Sequence, residues 1–123
     1  MPHLTLEYTS NIQHRIDFQD LFGQLHQVMA ELAGTRIENF KSRAMCREAY
    51  HVGAGSGQEA FIHLEIRLLS GRSPEQKAHI GQRCLDVLQE TWSPFLADLD
   101  PQITVELVGI ERDSYFKGPP AQA

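Results

Sequence analysis

Twice along this chain, and in the same order, the hydrophobic period switches from two residues to three or four and back, and that double switch restricts the fold more than anything else. Leu4, Leu6 and Tyr8 alternate with His3, Thr5 and Glu7, the pattern of a half-buried strand. Phe18, Leu21, Phe22, Leu25, Val28, Met29 and Leu32 then recur at the spacing that gathers side chains on one side of a helix. A second extended stretch runs from about Phe40 to Val52. The order then repeats. Ala60, Ile62, Leu64, Ile66 and Leu68 share one strand face, Ile80, Cys84, Val87, Leu88, Trp92 and Phe95 one helix side, and Ile103 to Val108 alternates again.

The boundaries carry their own chemistry. Asp17 is placed to cap the first helix, because its carboxylate can accept from the orphan backbone donors of the first turn, and Gly34 is a natural stop. Ser73 followed by Gln76 is a capping box, with Pro74 in the favoured first helical position. Pro94 should end or kink the second helix a few residues before it. Gly53-Ala54-Gly55-Ser56-Gly57 has the look of a phosphate cradle, but a strand follows it where a helix N-terminus would be needed. It reads as a loop between two strands.

Strand, helix, strand, loop, strand, helix, strand makes two βαβ units, one over about 1–52 and one over about 58–110, followed by a tail at 111–123. Each crossover should give a parallel pair. The expected fold is a single α/β (α+β) domain over 1–123: a four-stranded mixed sheet with both helices on one face. The other face would be partly bare, with Phe61 and Leu69 among its residues, so burial against further subunits is expected. Gly118 to Ala123 should be mobile or extended.

Bulk properties narrow the function. A chain of 123 residues suits one domain with a real core. The net charge of -5 argues against a nucleic-acid binder, and no apolar run is long enough for a membrane span. The opening residues lack a secretory pattern, and Cys46 and Cys84 fit neither zinc nor redox spacing, which points to a cytoplasmic protein with free thiols. The six histidines make no metal-ligand pattern, and His63 reads as a structural histidine.

Pro2 has two readings. Proline is tolerated as the first residue of a strand, since it lacks only a donor. Alternatively, removal of Met1 would leave a secondary amine as the terminus, anchored to a rigid element. Arg72, between a strand and a capped helix, sits where functional side chains collect, and a guanidinium can hold a carboxylate through two parallel bonds. Lys41 and Arg43, two apart on a strand, project from one face.

Several stretches together resemble the tautomerase superfamily, most closely the 5-carboxymethyl-2-hydroxymuconate delta-isomerase family. They are Pro2-His3-Leu4-Thr5-Leu6-Glu7-Tyr8-Thr9-Ser10-Asn11-Ile12, Lys41-Ser42-Arg43, Ala60-Phe61-Ile62-His63-Leu64 and Gly71-Arg72-Ser73. The resemblance covers nearly the whole chain and thins after about Ile110. It implies a homotrimer, no cofactor, and Pro2 as acid–base catalyst after loss of Met1, moving a proton from oxygen to a distant carbon of a small dienol dicarboxylate. Arg72 would orient a carboxylate, with Lys41 and Arg43 adding positive charge. The family typically has arginine at the position of Lys41, and lysine lacks the bidentate fork. The alternatives are a tautomerase for another enol or keto acid, and a non-catalytic oligomeric module on the same fold.

Overall fold

A computed structural model describes residues 1–120; Ala121, Gln122 and Ala123, the end of the tail, lie outside the described residues. The main elements are β1 (His3–Thr9), α1 (Phe18–Ala33), β2 (Lys41–Arg47), β3 (Glu59–Leu69), α2 (Pro74–Trp92) and β4 (Asp100–Ile110). Short 3-10 turns occupy Ile37–Asn39, Ser93–Phe95 and Arg112–Ser114. The strands lie in the order β2-β1-β3-β4. β1 pairs parallel with β2, and β3 parallel with β4, as the two βαβ units require. The units join through an antiparallel β1–β3 pair, Leu6 opposite Leu64, so the sheet is mixed.

Both helices start and stop on the residues the sequence marks. Asp17 accepts from the backbone N–H groups of Gln19 and Asp20, and Gly34 closes α1 in the left-handed region at φ 66°. At α2 the Ser73 hydroxyl accepts from the Gln76 N–H while the Gln76 side chain accepts from the Ser73 N–H. Such caps are worth about 1 kcal/mol each. Pro94 acts as expected: α2 ends at Trp92 and the chain tightens into the Ser93–Phe95 turn.

One face of the sheet is sealed. Leu4, Leu6, Ile62, Leu64 and Ile66 are fully buried against Leu25 and Met29 of α1 and Ile80, Leu88 and Trp92 of α2. The Cys84 thiol lies in this layer, and burial pushes it up to about 12, whereas Cys46 is exposed. The opposite face carries His3, Thr5, Glu7, Arg43, His63, Glu65 and Arg67, so it is a polar surface in which Phe61 and Leu69 are only half-buried. His63 on it meets the Thr104 hydroxyl at 2.7 Å and Glu106 at 3.5 Å.

Three boundaries differ from the sequence pattern. β2 ends at Arg47 and not near Val52, because its one neighbour among the described residues, β1, ends at Thr9, opposite Arg47. β4 is longer than its alternating core: it begins at Asp100, whose N–H donates to the Gln58 carbonyl, and holds Pro101, which an edge strand tolerates. Beyond β4 the chain turns back at Arg112–Ser114, and the Tyr115 hydroxyl lies 2.9 Å from His3 Nε2.

Candidate active site

The start of β1 and the end of β3 lie side by side because the two strands are antiparallel, with His3 opposite Arg67. Pro2, just before β1, is buried. Arg72, three residues beyond β3, reaches back toward it. Both line one cavity of about 100 Å³, together with Met1, Thr35, Asn39, Leu68 and Leu69. The fold thus gathers residues from two distant stretches, Thr35 with Asn39 and Leu68 to Arg72, around the first residues of the chain.

The environment of the terminus is cationic and partly dry. The Met1 ammonium donates to the Asn39 carbonyl at 3.3 Å, and the Lys41 ammonium donates to the same carbonyl at 3.0 Å. The Met1 ammonium is held below the ordinary value of a terminal amine, first by burial and then by the charges of Lys41 and Lys117. With Met1 attached, the Pro2 nitrogen is an amide and has no basic lone pair.

Arg72 is heavily engaged. Its Nη1 donates to the Leu69 carbonyl at 2.9 Å, and its Nη2 to the Ala33 carbonyl at 3.0 Å and the Thr35 hydroxyl at 3.3 Å. It therefore ties the end of α1 to the end of β3 and satisfies one helix-terminal carbonyl, that of Ala33, which has no intrahelical partner. Three of the five guanidinium N–H groups are occupied, and the two that remain, on Nε and Nη1, do not share an edge, so a further acceptor meets single donors and not a fork.

Lys41 and Arg43 share a face, as their spacing requires, yet lie apart in role. Lys41 stands at the rim of the Pro2 cavity through Asn39. Arg43 opens onto a different hollow, of about 270 Å³, on the polar sheet face with His3, Glu65, Arg67 and Tyr115. There Arg43 Nη2 donates to His3 Nδ1 at 3.1 Å. A guanidinium can only donate, so neutral His3 carries its hydrogen on Nε2 and donates it to Tyr115. His3 is held below its usual value, by burial first and by Arg43 next. The structure thus places Pro2, Arg72 and, at the rim, Lys41 together, and leaves Arg43 outside.

Thr35, Asn39 and the Tyr115–His3 contact have no sequence signal. Thr35 and Asn39 sit in the connection after α1, and only the crossing of β1 beside β3 brings them to the amino terminus. Among the described residues no cluster of three or more His, Cys, Asp or Glu could hold a metal ion, and no helix is long and apolar enough to cross a membrane.

Comparison with known proteins places this geometry. The family model of 5-carboxymethyl-2-hydroxymuconate isomerase matches residues 2–122. The chain is 22% identical over 117 residues to the 5-carboxymethyl-2-hydroxymuconate Delta-isomerase of Escherichia coli, covering 95% of this chain and 93% of that protein. It superposes on the crystal structure of a 5-carboxymethyl-2-hydroxymuconate isomerase from Deinococcus radiodurans R1 with TM-score 0.85 and 26% identity, over 97% of this chain and 90% of that one. A fused 4-OT protein solved as a symmetric trimer shares the fold at TM-score 0.71 and 16% identity, over 89% of this chain and 86% of that one. The chain belongs to the 5-carboxymethyl-2-hydroxymuconate isomerase family and is an isomerase of the tautomerase fold.

Proposed function

We propose that this protein, once Met1 is removed, is a cytoplasmic, trimeric keto–enol isomerase that ketonises a dienol dicarboxylate such as 5-carboxymethyl-2-hydroxymuconate, with Pro2 as its acid–base catalyst. The observation that carries the reading is that Pro2 and Arg72 line one cavity at the start of β1. Family membership supports the reaction class, and the cationic surroundings of the terminus support the catalyst.

The reaction needs a group that takes a proton at one end of a conjugated system and returns it at the other, with a pKa near the working pH. An ordinary terminal amine titrates at about 7.7–8.0, and a secondary amine is more basic. Burial and the nearby cations Lys41 and Lys117 lower the Met1 ammonium, and the Pro2 amine exposed by loss of Met1 meets the same surroundings, which leave more free amine at neutral pH. The Pro2 nitrogen takes the proton from the enol oxygen. The O–H electron pair becomes the new C=O bond, the conjugated double bond shifts, and the distant carbon takes the proton back from the Pro2 ammonium. No electrons leave the substrate, so the step calls for no cofactor. Charge gathered on the oxygen or its carboxylate meets the remaining single N–H donors of Arg72, with Lys41 as a second cation.

A second reading concerns the substrate. Lys41 in place of the family's arginine, together with the three Arg72 donors already engaged, favours a tautomerase acting on another enol or keto acid that asks less of bidentate binding. An ultraviolet assay of dienol loss on mass-checked, Met1-free protein tests both. Rapid ketonisation of 5-carboxymethyl-2-hydroxymuconate that collapses in Pro2→Ala establishes the first reading. Turnover of other enols alone establishes the second, and turnover unchanged in Pro2→Ala removes Pro2 from the mechanism.

A further inference from the structure

A second hollow lies on the other side of Arg72. It has a volume of about 90 Å³ and shares Leu68, Leu69 and Arg72 with the Pro2 cavity as a common wall. Its remaining walls are mostly apolar, formed by Leu107, Val108 and Gly109 of β4, and its cation is Lys77 in the first turns of α2. Gly109 keeps it open: a Cβ there would come within 3.3 Å of the Ser70 Cβ, another of its lining residues. Resting on the isomerase reading, we propose that this hollow is a subsite for the carboxylate arm of the substrate remote from Pro2, and that Lys77 is the residue that binds that carboxylate.

Three observations carry this. Ligand sites generally run to about 300 Å³ or more, so a dienol with two carboxylates overruns the 100 Å³ hollow at Pro2 and needs further room, which the hollow beyond Arg72 adjoins. Arg72 stands at that wall with only two separate N–H donors left, so it has no fork to hold a second carboxylate. Lys77, exposed at the adjoining hollow, has no ion pair or side-chain hydrogen bond among the described residues, so its ammonium is available. An apolar slot ending in a single ammonium suits an unsaturated carbon chain that terminates in a carboxylate.

Binding and turnover, measured separately on Met1-free protein, keep this proposal distinct from the isomerase reading. Titration calorimetry with hexanedioate and with hexanoate compares a diacid with the monoacid of the same length. The diacid should bind wild type about tenfold more tightly, the preference should vanish in Lys77→Met, and it should persist in Lys77→Arg. Gly109→Ala, which narrows the slot, should weaken the diacid while leaving Lys77 in place. In the isomerase assay Lys77→Met should raise KM for the dicarboxylate dienol with kcat nearly unchanged. Absence of a diacid preference in wild type, or its survival in Lys77→Met, overturns the subsite. A Lys77-dependent preference without turnover of the dicarboxylate dienol upholds the subsite and overturns the reading of that dienol as the substrate.

Discussion

The two βαβ units are built alike, yet the entrances to their first strands do opposite things. β1 is entered through Pro2, buried beside Arg72 and close to Lys41. β3 is entered at the other end of the sheet through Glu59, whose carboxylate accepts from the Ser56 hydroxyl at 2.6 Å and from the Ser56 and Gly57 N–H groups. Those bonds hold Glu59 down at about 2, the Ser56 hydroxyl contributing most. At the first entrance cations surround a terminus that has one weak contact, to the Asn39 carbonyl. At the second, an acid is saturated by its own loop. The repeated topology supplies two equivalent places, and local charge and hydrogen bonding make them differ, one acid tied down by its own loop and one terminus left with a single weak contact.

Substitutions at each entrance test that contrast. The largest effect belongs to Pro2→Ala: kcat should fall by about 10² to 10⁴, the usual worth of a positioned acid–base group, with little change in Tm. Arg72→Ala should act on both function and fold. It leaves the Ala33 and Leu69 carbonyls without their donor, so denaturant titration should show a loss of about 1–3 kcal/mol alongside a fall in kcat/KM. Arg72→Lys should recover less of the activity than of the stability, because one ammonium cannot reproduce the fork.

Smaller effects concern pH. Burial and the charges of Lys41 and Lys117 hold the Met1 ammonium below its ordinary value. In the proposed mechanism the Pro2 amine left by loss of Met1 meets the same surroundings and acts as the free base, so kcat/KM should be at its plateau above that lowered pKa and be lost as pH falls through it. Lys41→Met removes a neighbouring cation and should move this acid limb upward in pH. At the other entrance Ser56→Ala should leave kcat alone. Because Glu59 is depressed from 4.5 to about 2, its bonds stabilise the fold fully above about 4.5, and that contribution is lost as pH falls through about 2. Thermal melts of Ser56→Ala should therefore differ from wild type at neutral pH and converge with it toward pH 2.

Much of the fold was legible because its signals are local. The Asp17 cap, the Gly34 stop, the Ser73–Gln76 box and the alternation of Ile62, Leu64 and Ile66 each involve residues a few positions apart. The end of β2 was not legible, since it depends on where a partner strand ends and on nothing in its own residues. The same divide runs through the site. Pro2 and Arg72 stand out by residue type and position, but Thr35 and Asn39 enter it only through long-range packing. Arg43 shares a strand face with Lys41, and its bond to His3 takes it to another hollow. Arg72's attachment to the end of α1 is equally hidden, since Ala33 lies 39 residues away in sequence.

The most direct test uses two preparations of the same chain, one with Met1 removed and one with Met1 retained, each verified by mass and shown to be equally folded. Both are assayed for loss of the dienol absorbance of 5-carboxymethyl-2-hydroxymuconate. The account predicts turnover only where Pro2 carries a free secondary amine, since with Met1 attached that nitrogen is an amide. Equal turnover by the Met1-retaining protein would contradict it.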